Sequence, residues 1–184
     1  MIELEAKVWI DKHSISLEEI REKLKNIAKF KAQKLKEDIY FQKENAKSVC
    51  DLAFRIRKQL VNNKKEFIVT AKNRCIKEGI ETNTETEFTI SSYEAFTQFA
   101  EQMNFKEAYR KKKETKEFVH NGFTIELNFV EGLGWFLEIE KLCEESELEI
   151  FKKALEEEFL IFGFTQKDFE QKPYAEILSE QGII

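Results

Sequence analysis

A chain of 184 residues, 42% hydrophobic and 12% aromatic, can bury one sizeable core, which excludes general disorder and predicts a single domain over residues 1–184. Its 30 cations and 35 anions leave a net charge of -5, so nucleic acid is not an expected partner and any polyanion must meet a local cluster of cations. No run is apolar enough to span a bilayer and no signal peptide opens the chain, while the odd set Cys50, Cys75 and Cys143, without metal-type spacing, predicts free thiols; a cytoplasmic protein with no membrane partner is expected.

The first element, IELEAKVW, alternates. Glu3, Glu5 and Lys7 share one face of a strand, and Ile2, Leu4, Ala6 and Val8 share the other. For one strand alone the ordinary reading is charges in water; the alternative is a charged interior. The stretch SLEEIREKLKNIAKF then has capping-box spacing from Ser16 to Glu19 and an apolar row Leu17, Ile20, Leu24 and Ile27, which predicts a helix lying on something. FRIRKQL puts Arg55 and Arg57 opposite Ile56, and EFIVTAK puts Thr70 and Lys72 opposite Val69 and Ala71. Asn73 to Thr82 is predicted as a mobile loop, after which TETEFTI sets Glu85 beside Glu87.

A second helix, SSYEAFTQFAEQM, is predicted after Ser91 and Glu94, with Tyr93, Phe96, Phe99 and Met103 as a core stripe. YRKKKE then sets Lys111 beside Lys113, and HNGF is an asparagine-glycine hairpin signal leading into FTIELNF, where Thr124, Glu126 and Asn128 align. EGLG turns that strand into WFLEIEKL, which aligns Glu138 with Glu140; the three strands make an antiparallel meander. The glycines of GLG lack the following helix and lysine of a phosphate loop. A third helix is predicted after Ser146 and Glu149, burying Leu148, Phe151, Leu155, Phe159 and Phe162, and Pro173 opens a short last one. His13 and His120 sit beside turns, too isolated for a metal site, and are expected to be structural.

About eight strands with helices between them predict an α+β fold. If the helices cover the apolar strand faces, the charged faces turn inward, and closing the sheet makes a polar-lined, eight-stranded antiparallel β-barrel with helices packed outside. Alternation alone would equally fit an apolar-filled barrel with charges outside. The segregation of acid pairs and base pairs onto separate strands favours the tunnel.

IELEAK resembles the E-x-E-x-K signature of the CYTH superfamily, the triphosphate tunnel enzymes that include class IV adenylyl cyclases, thiamine triphosphatases and inorganic tripolyphosphatases. EDIYF, FRIRKQ, FIVTAK, RKKKE and IELNFVEGLGWFLEIE follow in the family's order, so the resemblance runs through Lys141, and KPYAEILSE is similar to the tail of the class IV cyclase branch. The resemblance implies a closed barrel tunnel that takes ATP or another triphosphate together with Mg²⁺ or Mn²⁺. It places phosphate oxygens on Lys7, Arg55, Arg57, Lys72, Lys111 and Lys113, and metal on Glu3, Glu5, Glu138 and Glu140, with Glu126 and Glu87 as further members. Lys7, Glu126 and Glu138 are the implied catalytic groups. The alternative for each is an interior salt bridge.

The expected activity is that of an adenylyl cyclase, ATP to cyclic AMP and pyrophosphate; the alternatives are a triphosphatase and a non-catalytic module for phosphorylated ligands. An exposed helix could support a homodimer. The chain departs from the family pattern at Glu126, where aspartate is common, at Lys113, where arginine is common, and at Asn83, where an arginine commonly stands. Lysine for arginine keeps the charge and loses the bidentate fork. The His-Phe pair that some class IV cyclases carry before the first acidic motif does not precede Glu3.

Overall fold

The computed structural model of the chain describes residues 1–61 and 64–184. Eight strands, β1 (Ile2–Trp9), β2 (Lys29–Lys43), β3 (Phe54–Val61), β4 (Lys64–Lys77), β5 (Ile80–Thr89), β6 (Phe105–His120), β7 (Phe123–Val130) and β8 (Gly134–Cys143), close into a barrel. The order is β1-β5-β4-β3-β2-β6-β7-β8, antiparallel throughout, and β8 returns to β1 in the register Glu5 to Glu140 and Lys7 to Glu138. Closure gives each strand a neighbour on both sides, although β1 meets β5 over only four residue pairs, Glu3–Asn83 to Ala6–Ile80.

Four helices, α1 (Leu17–Ile27), α2 (Tyr93–Gln102), α3 (Leu148–Phe162) and α4 (Tyr174–Glu180), pack on the barrel. Helix α1 starts where its capping box lies: Ser16 Oγ accepts from the Glu19 amide at 3.2 Å, and Glu19 accepts from the Ser16 amide at 2.8 Å. Ser16→Ala should cost about 1 kcal/mol, read as a fall in Tm of roughly 2–4 °C in thermal denaturation; an unchanged Tm would show that the cap contributes nothing. Ile20 and Leu24 from α1 and Leu155, Phe159 and Phe162 from α3 bury against Leu4, Ala6, Val8, Leu137 and Ile139. These are the apolar faces of β1 and β8, so the charged faces of the same strands point the other way.

Helix α2 seals a smaller cluster of Ile39, Phe41, Ile56 and Val69 with Ala100, Tyr93 and Phe96. The predicted stripe is only half covered: Phe99 and Met103 are 57% and 56% exposed, because the barrel wall beneath α2 reaches only one side of the helix. Its cap is Ser92, whose hydroxyl accepts from Ala95, and not Ser91. Helix α3 likewise begins after a 3₁₀ turn over Glu145–Glu147, with no cap bond from Ser146. Helix α4 packs at one end of the barrel: Ala175, Ile177 and Leu178 pack on Tyr109, Val130, Leu133 and Phe136, and Phe136 stacks on Trp9 at 5.1 Å.

The predicted loop from Asn73 to Thr82 is a hairpin instead, with β4 running to Lys77 and β5 starting at Ile80. Glu78 and Gly79 take φ of 55° and 76°, the paired left-handed conformation of a two-residue hairpin turn. A side chain at position 79 would also collide with Phe169 and Gln171 at 2.6 Å, so glycine is required twice over. The turn at Asn121 and Gly122, φ 48° and 77°, is the hairpin expected there.

Two bulges interrupt the long β2–β6 ladder. The register shifts between Phe30 and Ala32, with Lys31 extra on β2, and between Tyr40 and Phe41, with Ala108 extra on β6. Beyond Ala108 the faces exchange, so that Phe105 packs outward under α2 against Phe54 at 5.4 Å while Tyr109, Lys111 and Lys113 point inward.

Candidate active site

The barrel encloses a cavity of about 490 Å³, the scale of a small-ligand site. Every charged residue singled out in the sequence borders it: Glu3, Glu5 and Lys7 from β1, Arg55 and Arg57 from β3, Lys72 from β4, Glu87 from β5, Lys111 and Lys113 from β6, Glu126 from β7, and Glu138 and Glu140 from β8. Leu4, Ile56, Leu137 and Ile139 are fully buried on the opposite face. The alternation therefore resolves as charges inside.

Acids and bases are interleaved there in distinct groups. In one, Asp38 on β2, with no exposed surface, accepts from Arg57 Nε and Nη2 at 2.7 and 3.0 Å, with Lys111 Nζ at 3.5 Å and Arg55 Nη1 at 3.8 Å. Burial opposes the charge on Asp38, but Arg57, Arg55 and Lys111 outweigh it and hold the carboxyl well below its ordinary range. In a second, Lys113 Nζ lies 3.1 Å from Glu126 and 2.9 Å from Glu138, and Lys36 Nζ lies 2.6 Å from Glu126. Burial lowers the Lys36 ammonium to about 8 although Glu126 opposes the shift. Glu138 also accepts from the Tyr174 hydroxyl, which α4 carries into the tunnel. In a third, Lys7 Nζ and Arg74 Nε flank Glu81 at 2.7 and 3.0 Å.

Three of the remaining acids form a carboxylate cage. Glu3, Glu5 and Glu140 each offer a carboxylate oxygen within 4.8 Å of the others. Burial, then Glu126, Glu3 and Glu5, push the Glu140 carboxyl well above its ordinary range, and burial raises that of Glu3 despite the nearby Lys72. Crowded carboxylates that resist ionisation are relieved by a bound cation, and hard oxygen donors suit Mg²⁺ or Mn²⁺, so these residues fit a divalent metal. Glu126 and Glu138 lie beside this cage but are engaged by lysines, and Glu87 lies apart, half-exposed and accepting from Thr70 at 2.7 Å. The buried amide of Asn83 donates to Glu3 at 3.3 Å while its Oδ1 meets no donor among the described residues.

Several wall residues escaped the sequence reading. Lys34, Lys36 and Tyr40 line the cavity from β2, and Asp38, bonded to Arg57 behind the lining, shares their face, but their signs are mixed, so the segregation that marked the other strands is missing. Glu81 and Arg74 fell in the stretch read as a loop. Tyr174 could be found only through the tertiary fold, 36 residues from its partner Glu138. His120, expected to be structural, lies outside the cavity lining, its Nδ1 bonded to Glu158 at 2.7 Å.

At the end where α4 packs, the wall becomes aromatic. Tyr40 and Tyr109 stack at 4.5 Å, Lys111 Nζ lies 4.4 Å from the Tyr174 ring centre, and Leu52, Ala53, Phe54 and Pro173 line the same opening. Among the described residues no helix is long and apolar enough to cross a membrane.

The chain is 32% identical over 182 residues to a protein of Methanocaldococcus jannaschii named "Putative adenylate cyclase", covering 96% of this chain and 98% of that one. The solved structure of a Pyrococcus horikoshii protein superposes with a TM-score of 0.80 at 31% identity, over 97% of this chain and 99% of the other. A Vibrio parahaemolyticus structure titled a "putative adenylate cyclase" shares the fold, TM-score 0.79 at 18% identity over 97% and 98% of the two chains. The profile of the CYTH domain matches residues 1–174, from the first strand into α4, and the chain belongs to the CYTH domain family.

Proposed function

We propose that this chain is a divalent-metal-dependent adenylyl cyclase that holds ATP in the barrel tunnel. The observation that carries the reading is the division of one cavity into a carboxylate cage, Glu3, Glu5 and Glu140, and a cation set, Arg55, Arg57 and Lys111, around Asp38. A triphosphate takes the place that Asp38 now fills among those cations, through charge-assisted hydrogen bonds that the forked guanidinium groups make in pairs. The aromatic end supports a nucleotide over an inorganic polyphosphate, since the Tyr40, Tyr109 and Tyr174 rings offer flat apolar surface for a base.

In this reading the ribose 3′-hydroxyl attacks the α-phosphorus. The new O–P bond forms as the bond to the β-phosphate oxygen breaks, and pyrophosphate leaves. Arg55, Arg57 and Lys111 hold the charge that develops on pyrophosphate, while Lys7, Lys72 and Lys113 complete the cradle. Glu138, oriented by Tyr174 and Lys113, takes the hydroxyl proton, and Glu126 positions Lys113 and Lys36. Glu3, Glu5 and Glu140 would hold the divalent metal, which would supply Lewis acidity to the triphosphate. The wall residues Glu87, Glu81 and Arg74 set the field around it.

The test incubates the protein with ATP, tripolyphosphate and thiamine triphosphate, each with and without Mg²⁺ or Mn²⁺, and identifies the products. Cyclic AMP with pyrophosphate from ATP, only with metal, is the expected result. Orthophosphate release would overturn the cyclase reading in favour of a triphosphatase, and tight binding without turnover would make the tunnel a binding module.

A further inference from the structure

Lys72 is the one cation of the predicted phosphate set that reaches into the carboxylate cage. From β4 its Nζ lies 2.8 Å from Glu3 Oε1, 3.0 Å from Glu85 Oε1 and 3.4 Å from Glu5 Oε2. Two of these three acids belong to the trio that fits a metal. Lys7 and Lys113 are placed differently: they pair with Glu81, Glu126 and Glu138, outside that trio.

A divalent ion bound at 2.0–2.6 Å from carboxylate oxygens, about the range for Mg²⁺ and Ca²⁺, and an ammonium hydrogen-bonded to the same oxygens would stand only a few ångströms apart, with strong repulsion in so buried a place. Through the oxygens that Lys72 now holds, Glu3 and Glu5 can serve one or the other. We infer that the Lys72 ammonium is a resident competitor for the metal position, and that metal entry releases it from Glu3 and Glu5 toward the triphosphate.

The flexible four-carbon stem permits the move, and Glu85, opposite Lys72 on the β4–β5 ladder and outside the carboxylate trio, remains as its partner. One charge is thus used twice, as a counter-ion when the cage holds no metal and as a phosphate ligand when it does. The coupling follows: metal alone binds weakly because it must expel Lys72, triphosphate alone binds weakly because Lys72 is engaged, and each strengthens the other equally. This rests on the metal and phosphate assignment proposed above, and its tests are chosen to fail separately from it.

Calorimetry of Mn²⁺ binding to the wild type and to Lys72→Met, without nucleotide, should give at least tenfold tighter binding in the variant. Tripolyphosphate affinity is then measured without metal and with free Mn²⁺ held constant by a metal buffer; the gain from metal should be at least tenfold smaller in the variant. Tighter Mn²⁺ binding with an unchanged gain would make Lys72 a bystander charge and overturn the inference, as would unchanged Mn²⁺ binding. Mn²⁺ bound by neither protein would overturn the metal cage itself. A wild-type experiment guards against a variant that fails to fold: acetylation of Lys72, followed by peptide mass spectrometry, should rise at least threefold on adding Mg²⁺. An unchanged or slower rate overturns the release.

Discussion

Asp38→Asn should lower Tm by roughly 6–20 °C and yet enlarge the stabilisation that tripolyphosphate confers. The substitution keeps the shape of the side chain and removes the one fully buried carboxylate shared by Arg55, Arg57 and Lys111. Stranding buried cations in this way costs about 3–5 kcal/mol, because their desolvation is no longer offset. A polyanion supplies what was removed. If tripolyphosphate binds the variant a hundredfold more tightly, saturating ligand returns about 2.7 kcal/mol more than it does to the wild type.

Acid gives an independent reading of the same group. The folded state holds the Asp38 carboxyl well below its ordinary value of 3.8, so on acidification the unfolded chain takes up this proton first. The stability that Asp38 contributes is therefore present above about pH 4 and is lost as the pH falls further. The gap between wild type and variant should close over that interval. Equal melting temperatures at neutral pH, or a smaller tripolyphosphate shift in the variant, would show that Asp38 does not hold the place of a phosphate.

Arg57→Ala should reduce turnover by about a hundredfold, the scale for losing one preorganised electrostatic stabiliser, and added metal should not restore it. Glu5→Gln should behave differently. Glu5 belongs to the carboxylate cage, and its loss weakens metal affinity, a deficit that mass action at high Mn²⁺ can refill. Titrating Mn²⁺ at saturating substrate separates the two. Recovery of the arginine variant with none in the glutamate variant would show that the tunnel is not divided into a metal side and a phosphate side.

How far the sequence revealed this site depended on how each strand carries its charges. Glu3 and Glu5, Arg55 and Arg57, Lys111 and Lys113, and Glu138 and Glu140 are same-sign pairs two residues apart, and that pattern pointed inward before any fold was known. Lys36 and Asp38 have the same spacing with opposite signs, which on one strand looks like an ordinary exposed ion pair. Arg74 and Glu81 were hidden by a turn whose first left-handed position holds glutamate, where asparagine or aspartate gives the usual signal. Helix positions were visible from periodicity, yet Phe99 and Met103 show that an apolar stripe states what a helix can bury, while the available wall decides what it does bury.

The bulges at Lys31 and Ala108 give the barrel something like a reading frame. Between them the inward residues of β2 are even-numbered and those of β6 odd-numbered; beyond each bulge the phase shifts on the strand that carries the extra residue. Removing Ala108 alone would leave a regular ladder with Tyr109 still inward and Phe105 still outward, whereas removing Lys112 would make Lys111 and Lys113 neighbours and put them on opposite faces. Removing two adjacent residues from a strand shortens it and leaves each side chain on its own face. Away from the two bulge residues, length changes within these strands should therefore be tolerated in twos and rejected in ones, so that a single deletion that removes no inward charge would still scramble the charge pattern that makes the tunnel.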